Sequence, residues 1–206
     1  LMTAASSHGK SSTPLSGLHL LLTYQCTFAC DHCFVWSGPF LTGTMTLDTV
    51  DPILAEAVRR GTLEWLYFEG GEAFLYYAIL RCGVLRAKAE GVKVGIVTYA
   101  FWAHSVDDAL EWLRPIAGSI DDLSLSRDSY HGSGGNYRNP ETARAAARQL
   151  GIPVDFISVA EPEASNVSGA AGKLPAGESA VLFRGRAAEK LASKVPPTRW
   201  QQFTNC

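Results

Sequence analysis

Residues 18–33 read LHLLLTYQCTFACDHC, and this stretch decides how the rest of the chain is interpreted. Its beginning, residues 18–23, is a short apolar run of strand-compatible residues. Directly after this run, Cys26, Cys30 and Cys33 form a Cys-x3-Cys-x2-Cys pattern. A strand followed by a loop with three thiols predicts a metal or redox site at the end of that strand.

From this stretch onward the chain alternates between short apolar runs and segments of helical periodicity. The predicted strands cover residues 18–23, 65–68, 94–98, 120–126, 153–159 and 181–183. Alternating strands and helices are typical of a parallel α/β sheet. A closed eight-unit barrel needs about 250 residues, whereas this chain has 206. The expected fold is therefore an open, partial parallel (β/α)6 barrel, with its chemistry at the carboxyl ends of the strands.

Helix starts are predicted from capping residues and from one proline. Ser105 with Asp108 three residues later is similar to a capping box. Asn139 followed by Pro140 predicts an N-cap and a first helical residue. Pro52 lies inside the first helical repeat, and because proline disrupts a helix interior, that helix is expected to start late.

Composition divides the chain into a core and two flanking segments. Residues 1–17, rich in Ser, Thr, Gly and Ala, are expected to form a flexible leader, followed by a core domain over 18–195 and a tail over 196–206. The leader lacks the basic start and apolar centre of a signal peptide, which favours a cytoplasmic protein. No apolar run reaches the roughly 18 residues of a membrane span. A net charge of −2 provides no basic field for nucleic acid or an anionic membrane.

The chain contains five cysteines, an odd number, and three of them lie within eight residues. This distribution disfavours a disulfide framework and favours a metal site in a reducing compartment. A [4Fe–4S] cube normally takes four ligands, so Cys26, Cys30 and Cys33 would leave one iron open, as a catalytic metal requires. The alternative is a structural zinc ion with His32 or Cys206 as the fourth ligand.

A second motif, Gly70-Gly71-Glu72, follows the second predicted strand. Two adjacent glycines allow the backbone to approach a ligand closely, because neither carries a Cβ atom. The carboxylate of Glu72 can accept a hydrogen bond from an ammonium group. Taken alone, the motif indicates no more than a turn between a strand and a helix.

The cysteine motif, combined with Gly-Gly-Glu after the next strand, resembles the radical S-adenosylmethionine (SAM) superfamily. The resemblance implies a [4Fe–4S] cluster whose open iron chelates the amino and carboxylate groups of SAM. It implies reductive cleavage of SAM to a 5′-deoxyadenosyl radical, which abstracts a hydrogen atom from a substrate. It further implies that the Gly-Gly-Glu motif receives the amino group of SAM, although Ala73 stands where the family usually has proline.

The resemblance also indicates further SAM contacts, each with a plainer alternative. His32 occupies a position where the family often places an aromatic residue near the adenine; the alternative is a solvated loop histidine. Ser126 and Asp128 follow the fourth strand, where relatives hydrogen-bond the ribose; the alternative is a polar capping loop. Ser158 is a further SAM candidate, and His131 is interpreted as a substrate contact or an acid–base group.

Two other segments resemble family patterns less closely. Thr98-Tyr99-Ala100 keeps one residue of a Thr-Asn-Gly-type turn after the third strand. Arg184 and Arg186 lie in a segment similar to one near strand six of peptide-modifying members. Either arginine could pair with a carboxylate of SAM or of the substrate; the preferred interpretation is that both face solvent.

The resemblance implies a low-potential electron donor, such as flavodoxin or ferredoxin, and a peptide or a small molecule as substrate. Cys206 is either the first ligand of an auxiliary cluster in a SPASM extension or an ordinary terminal cysteine. Three other functions stay open on the residues alone. One is an iron–sulfur protein for electron transfer or sensing, without SAM chemistry and with a fourth protein ligand. A second is a zinc-stabilised α/β binding domain, and a third is an α/β-barrel enzyme of another chemistry whose cysteines are incidental.

Overall fold

Strands and helices alternate along the chain in the computed structural model, which describes residues 14–131, 137–162 and 176–195. The strands are β1 (Gly17–Leu21), β2 (Trp65–Glu69), β3 (Lys93–Thr98), β4 (Asp122–Ser126) and β5 (Val154–Ile157). The helices are α1 (Leu47–Arg59), α2 (Tyr77–Ala89), α3 (Val106–Leu113), α4 (Asn139–Gln149) and α5 (Arg186–Lys190). Short 3₁₀ turns cover Ala73–Tyr76, Arg114–Ser119 and Ala192–Lys194.

The strands form one sheet in the order β1-β2-β3-β4-β5, and every neighbouring pair is parallel. Parallel crossovers are right-handed, and each strand lies beside its successor in sequence. The connecting helices are therefore brought to the same face of the sheet. A sheet wound in one direction with helices outside it is a segment of a (β/α) barrel. The predicted α/β class and open partial barrel are confirmed.

The sheet has five strands within the described part of the chain, where six were predicted. Residues 181–183, the expected sixth strand, have no regular secondary structure. The nearest pairing is a single parallel bridge between Val159 and Ser179. Leu182 and Phe183 are 52% and 40% exposed. This apolar run therefore lacks the buried neighbours that stabilise a strand.

Ser105 caps the start of α3 as predicted, whereas Asn139 does not cap α4. The Oγ atom of Ser105 accepts a hydrogen bond from the Asp108 N–H at 3.0 Å. Asn139 is the first residue of α4 instead of its cap. Its side-chain amide donates to the carbonyl oxygen of Phe101 at 2.9 Å. This bond ties the start of α4 to the loop after β3, so the residue stabilises tertiary packing and not the helix end.

Helix α1 begins at Leu47 and continues through Pro52, so the late start expected from the proline is wrong. Proline removes one backbone hydrogen bond and costs about 3 kcal/mol in a helix interior. Val50, Leu54 and Ala57 are buried on one face of this helix. Burial of an apolar face against the sheet outweighs that local cost.

The core lies between the sheet and the helices, and alternate strand residues contribute to it. Leu66 and Phe68 of β2 are fully buried, as is Ile96 of β3. The intervening residues Tyr67 and Glu69 are half-buried, because successive side chains of a strand point to opposite faces. Since all strands are parallel, their carboxyl ends meet at one edge, where the loops gather.

The flanking segments predicted from composition fall largely outside this description. Residues 1–13 of the expected leader and the whole expected tail, with Cys206, lie outside the described residues, and Gly17 opens β1. Within the ranges that the structure describes, every helix is too short or too polar to cross a bilayer.

Candidate functional site

The three cysteines of the motif lie in the loop between β1 and α1. Cys26 is buried, and Cys30 and Cys33 are partly exposed. Backbone bonds close the loop: the Cys26 N–H donates to the Gly38 carbonyl, and the Gly38 N–H donates to the Tyr24 carbonyl, both at 3.2 Å. These backbone bonds join the two ends of the segment that carries the three thiols.

Backbone N–H groups point at two of the sulfur atoms. The Phe28 N–H donates to Cys26 Sγ at 3.5 Å, and the Ser37 N–H donates to Cys33 Sγ at 3.3 Å. Hydrogen bonds of this kind favour the thiolate form of sulfur and tune sulfur ligands of iron–sulfur clusters.

Burial raises the pKa of the Cys26 thiol to about 11 and that of the Cys30 thiol to about 12. The neighbouring cysteine thiolates raise both values further, so the sulfur atoms are close enough to repel one another as anions. Without a metal these thiols are protonated at neutral pH. A bound cation would replace the protons and offset the repulsion.

The spacing of the sulfur atoms bears on which metal they could hold. Within the described ranges, three donor atoms lie within 4.8 Å of one another at His32, Asp128 and His131, but the three cysteines do not form such a set. Around a single zinc ion, with Zn–S bonds of about 2.3 Å, thiolates would stand about 3.8 Å apart. In a four-iron cube each thiolate binds a different iron, which suits a wider spacing.

The Gly-Gly-Glu motif is joined to the cysteine loop through backbone bonds. The Gly71 N–H donates to the Thr23 carbonyl at 2.7 Å, and the Glu72 N–H donates to the Gln25 carbonyl at 2.9 Å. A Cβ atom at Gly71 would lie 2.1 Å from the Gln25 carbonyl oxygen. Glycine therefore permits the contact that places the two motifs side by side.

The carboxylate of Glu72 is directed into the protein. It accepts hydrogen bonds from the Phe74 N–H at 3.0 Å, from the Thr98 hydroxyl at 2.9 Å and from the Tyr99 N–H at 3.2 Å. These bonds tie the turn after the motif to the end of β3. Burial raises the pKa of Glu72 to about 7, although the three donors oppose the rise.

The pH dependence of stability should reveal this buried carboxyl. Between pH 4.5 and about 7, the folded metal-free protein keeps a proton on Glu72 that the unfolded chain has lost. The contribution of Glu72 to the free energy of unfolding therefore falls as pH rises through this window, by on the order of 3 kcal/mol. Glu72→Gln removes the titration. Urea unfolding should show stability shifting in favour of the variant between about pH 5 and about pH 8.

Other carboxyl groups titrate in both proteins and cancel in this comparison. A stability difference between wild type and E72Q that stays constant with pH would contradict the buried position of Glu72.

A cavity of about 240 Å³ lies where the two motifs meet the carboxyl ends of β2 to β5. Its lining includes most of the predicted site residues, namely Cys30, His32, Cys33, Gly70, Gly71, Ser126 and Asp128. Cys26 and Glu72 do not line it. The predicted site residues in this lining thus come from the segments after β1 and β2 and from the end of β4 and the loop that follows it, and they meet at one edge of the sheet with the two glycines at the cavity wall.

Asp128 links two histidines in the wall of this cavity. Its carboxylate pairs with His131 Nδ1 at 2.7 Å and with His32 Nε2 at 3.7 Å. The His32 side chain is 15% exposed, and its ring stacks on the Tyr130 ring with 4.3 Å between ring centres. The alternative interpretation of His32 as a solvated loop histidine is therefore wrong. Burial lowers the pKa of His32, although the charge of Asp128 opposes this.

A second cavity of about 530 Å³ adjoins the first. Both are lined by Ser126, Asp128, His131 and Val159. Ser158, the further SAM candidate, lines the larger cavity and not the smaller one. The shared wall places His131 between the two spaces.

Sequence reasoning missed three residues that organise the site. Thr98 and Tyr99 bind Glu72, and the Thr-Asn-Gly-type turn, with two of its three residues changed, was the signal for them. Arg186 was expected to face solvent. It donates instead to the carbonyl oxygen of Cys30 at 2.9 Å, and no local pattern indicated this contact.

A family model and a curated relative match parts of this chain. A family model described as the radical SAM superfamily matches residues 20–162. YydG of Bacillus subtilis (strain 168), named for peptide biosynthesis, is 27% identical over 111 residues, which make up 53% of this chain and 35% of YydG. The chain thus spans about a third of the length of this curated relative.

Solved structures share the fold. Streptococcus suis SuiB bound to precursor peptide SuiA has a TM-score of 0.58 at 16% identity, covering 73% of this chain and 34% of SuiB. The enzyme anSMEcpe with bound AdoMet has a TM-score of 0.55 at 14% identity, covering 88% of this chain and 48% of that protein. At such identities the likeness concerns the fold alone.

Proposed function

This chain belongs to the radical SAM superfamily, and on that premise we propose that Cys26, Cys30 and Cys33 hold a [4Fe–4S] cluster beside a SAM-binding cavity. With both groups bound, the site would support one-electron reductive cleavage of SAM to methionine and a 5′-deoxyadenosyl radical, and the radical would take a hydrogen atom from the substrate. The observation that carries the proposal is the backbone pairing of the Gly-Gly-Glu motif with the cysteine loop at the edge of the 240 Å³ cavity.

The proposed roles of the motif residues follow from which groups face the cavity. Gly70 and Gly71 line it, so their backbone would meet the amino group of SAM. Glu72 keeps that backbone in place through its buried bonds to the end of β3. The Glu72 carboxylate is therefore proposed to support SAM binding indirectly, by fixing the backbone of Gly70 and Gly71.

The SAM nucleoside is proposed to lie against the side chains after β4. Ser126 and Asp128 line the cavity and carry oxygen atoms that suit ribose hydroxyls. His131 holds Asp128 at 2.7 Å and so orients its carboxylate. The packed, stacked ring of His32 offers a flat surface for the adenine.

The three sulfur atoms do not form a set in which every separation is within 4.8 Å, and this wider spacing favours a cluster over a single tetrahedral zinc ion. An electron carrier would need a fourth protein ligand. Cys82, the other described cysteine, lies in α2 and does not line the cavity. An open iron therefore suits this site better than a fully ligated cluster.

A peptide is the substrate that we propose, since YydG is named for peptide biosynthesis and SuiB was solved with a precursor peptide. The 530 Å³ cavity that shares a wall with the SAM cavity is the space proposed for it. The electron would come from flavodoxin or ferredoxin in the cytoplasm.

The deciding experiment is anaerobic reconstitution with iron and sulfide, followed by EPR of the reduced protein with and without SAM. We expect a [4Fe–4S]⁺ signal that changes when SAM is added, because SAM would ligate the open iron. A cluster signal indifferent to SAM would favour an electron carrier or sensor. Tightly bound zinc without a cluster would overturn the proposal.

A further inference from the structure

The start of α5 lies against the cysteine loop, and its first residue contacts that loop twice. Arg186 Nη1 donates to the carbonyl oxygen of Cys30 at 2.9 Å, and Nη2 donates to the carbonyl oxygen of Ser37. These carbonyls lie on either side of Cys33 in sequence. A planar guanidinium presents its donors in a fixed fork, so one side chain sets the separation of both carbonyls.

The backbone around Arg186 contacts the same loop. The Ala187 N–H donates to the Cys33 carbonyl at 3.3 Å. Gly185 has a φ of 56°, and a Cβ atom there would lie 2.5 Å from the carbonyl carbon and oxygen of Phe34. Glycine is therefore the residue that lets α5 approach this closely. Three consecutive residues, 185–187, thus contact the segment that carries the last two cysteines of the motif, Cys30 and Cys33.

The two arginines of this region have different surroundings. Arg186 is half-buried, and its guanidinium lies 5.8 Å from the centre of the Trp36 ring, within cation–π range. Arg184, two residues earlier, is exposed. A cation at Arg186 stands beside a loop that would carry anionic thiolates, which is favourable in a partly buried setting.

We propose that Arg186 is a positioning residue that holds the cysteine loop closed around the metal site. It keeps residues 30–37 folded before a metal arrives, and it places one positive charge next to the bound cluster. The second half of this proposal rests on the function proposed above, whereas the first half concerns the metal-free protein alone.

The test of loop closure is amide hydrogen exchange in the metal-free protein. The amides of Cys33 and Gly38 are informative probes, because both are hydrogen-bonded within the loop. In Arg186→Gln we expect exchange of loop amides to quicken by about tenfold or more, since two charge-assisted bonds are lost. Arg184→Gln is the matched control and should leave exchange at the wild-type rate.

The reconstituted protein provides a second readout. Arg186→Gln should lose iron to a chelator several-fold faster than wild type, and its cluster should have a lower reduction potential, because a nearby positive charge favours the reduced state. Arg186→Lys keeps the charge but not the fork. Arg186→Lys should therefore restore the wild-type reduction potential, while amide hydrogen exchange in the cysteine loop stays faster than in wild type.

Wild-type exchange rates in Arg186→Gln would overturn the proposal. If that variant loosens the whole fold by circular dichroism, Arg186→Lys decides: faster exchange confined to the loop supports the proposal, and faster exchange throughout the sheet overturns it. If the wild-type protein takes up no iron, the proposed function fails, while the exchange data still decide the role of Arg186.

Discussion

Replacing Cys30 by alanine should abolish both cluster binding and SAM cleavage. Loss of a residue that merely supports a metal ligand already costs 10–100-fold in affinity or activity, so loss of a ligand should cost more than about 100-fold. The expected readout is loss of the iron–sulfur absorbance and EPR signal after reconstitution, with 5′-deoxyadenosine below detection.

Cys82→Ala is the matched control for this experiment. Cys82 lies in α2 and does not line the cavity. The variant should bind iron and cleave SAM like wild type. Retained SAM cleavage in Cys30→Ala would contradict the assignment of Cys30 as a metal ligand. Equal losses of SAM cleavage in both variants would indicate general damage to the fold.

Replacing Gly71 by alanine should separate the two motifs. The added Cβ atom would lie 2.1 Å from the Gln25 carbonyl oxygen and 2.6 Å from its carbon, so a backbone segment must move. The bond from Gly71 N–H to the Thr23 carbonyl would be strained in consequence. We expect a loss of about 3 kcal/mol in the free energy of unfolding, measured by urea unfolding of the metal-free protein, together with poor iron uptake.

Gly118→Ala provides the control, because a Cβ atom at Gly118 would meet nothing within 4 Å. This exposed substitution should change stability by less than about 0.5 kcal/mol. A Gly71→Ala protein as stable as Gly118→Ala would contradict the tight packing of the Gly-Gly-Glu motif on the cysteine loop.

Much of the fold could be read from local patterns. Apolar runs such as residues 65–68 became strands, and Ser105 capped α3 as expected. Residues 181–183 failed as a strand and Pro52 failed as a helix boundary. In both cases packing against residues distant in sequence determined the secondary structure. Residues 181–183 lack buried packing partners, whereas α1 buries Val50 and Leu54.

The candidate site divides in a similar way. The cysteine spacing and the Gly-Gly-Glu motif could be recognised directly, since their chemistry resides in residue types a few positions apart. The orientation of Glu72 could not, because Thr98 and Tyr99 bind it from the end of another strand. The same holds for Arg186, whose partner Cys30 lies 156 residues earlier in the chain.

The amino-acid sequence by itself determined the α/β class, the spacing of the three thiols and the edge of the sheet where the candidate site lies. These depend on periodicity and short spacings, which are local properties. Tertiary structure alone decided the number of strands among the described residues, the inward direction of the Glu72 carboxylate and the contact of Arg186 with the cysteine loop. Each of these depends on contacts between residues far apart in the chain, where packing and hydrogen bonding override local preference.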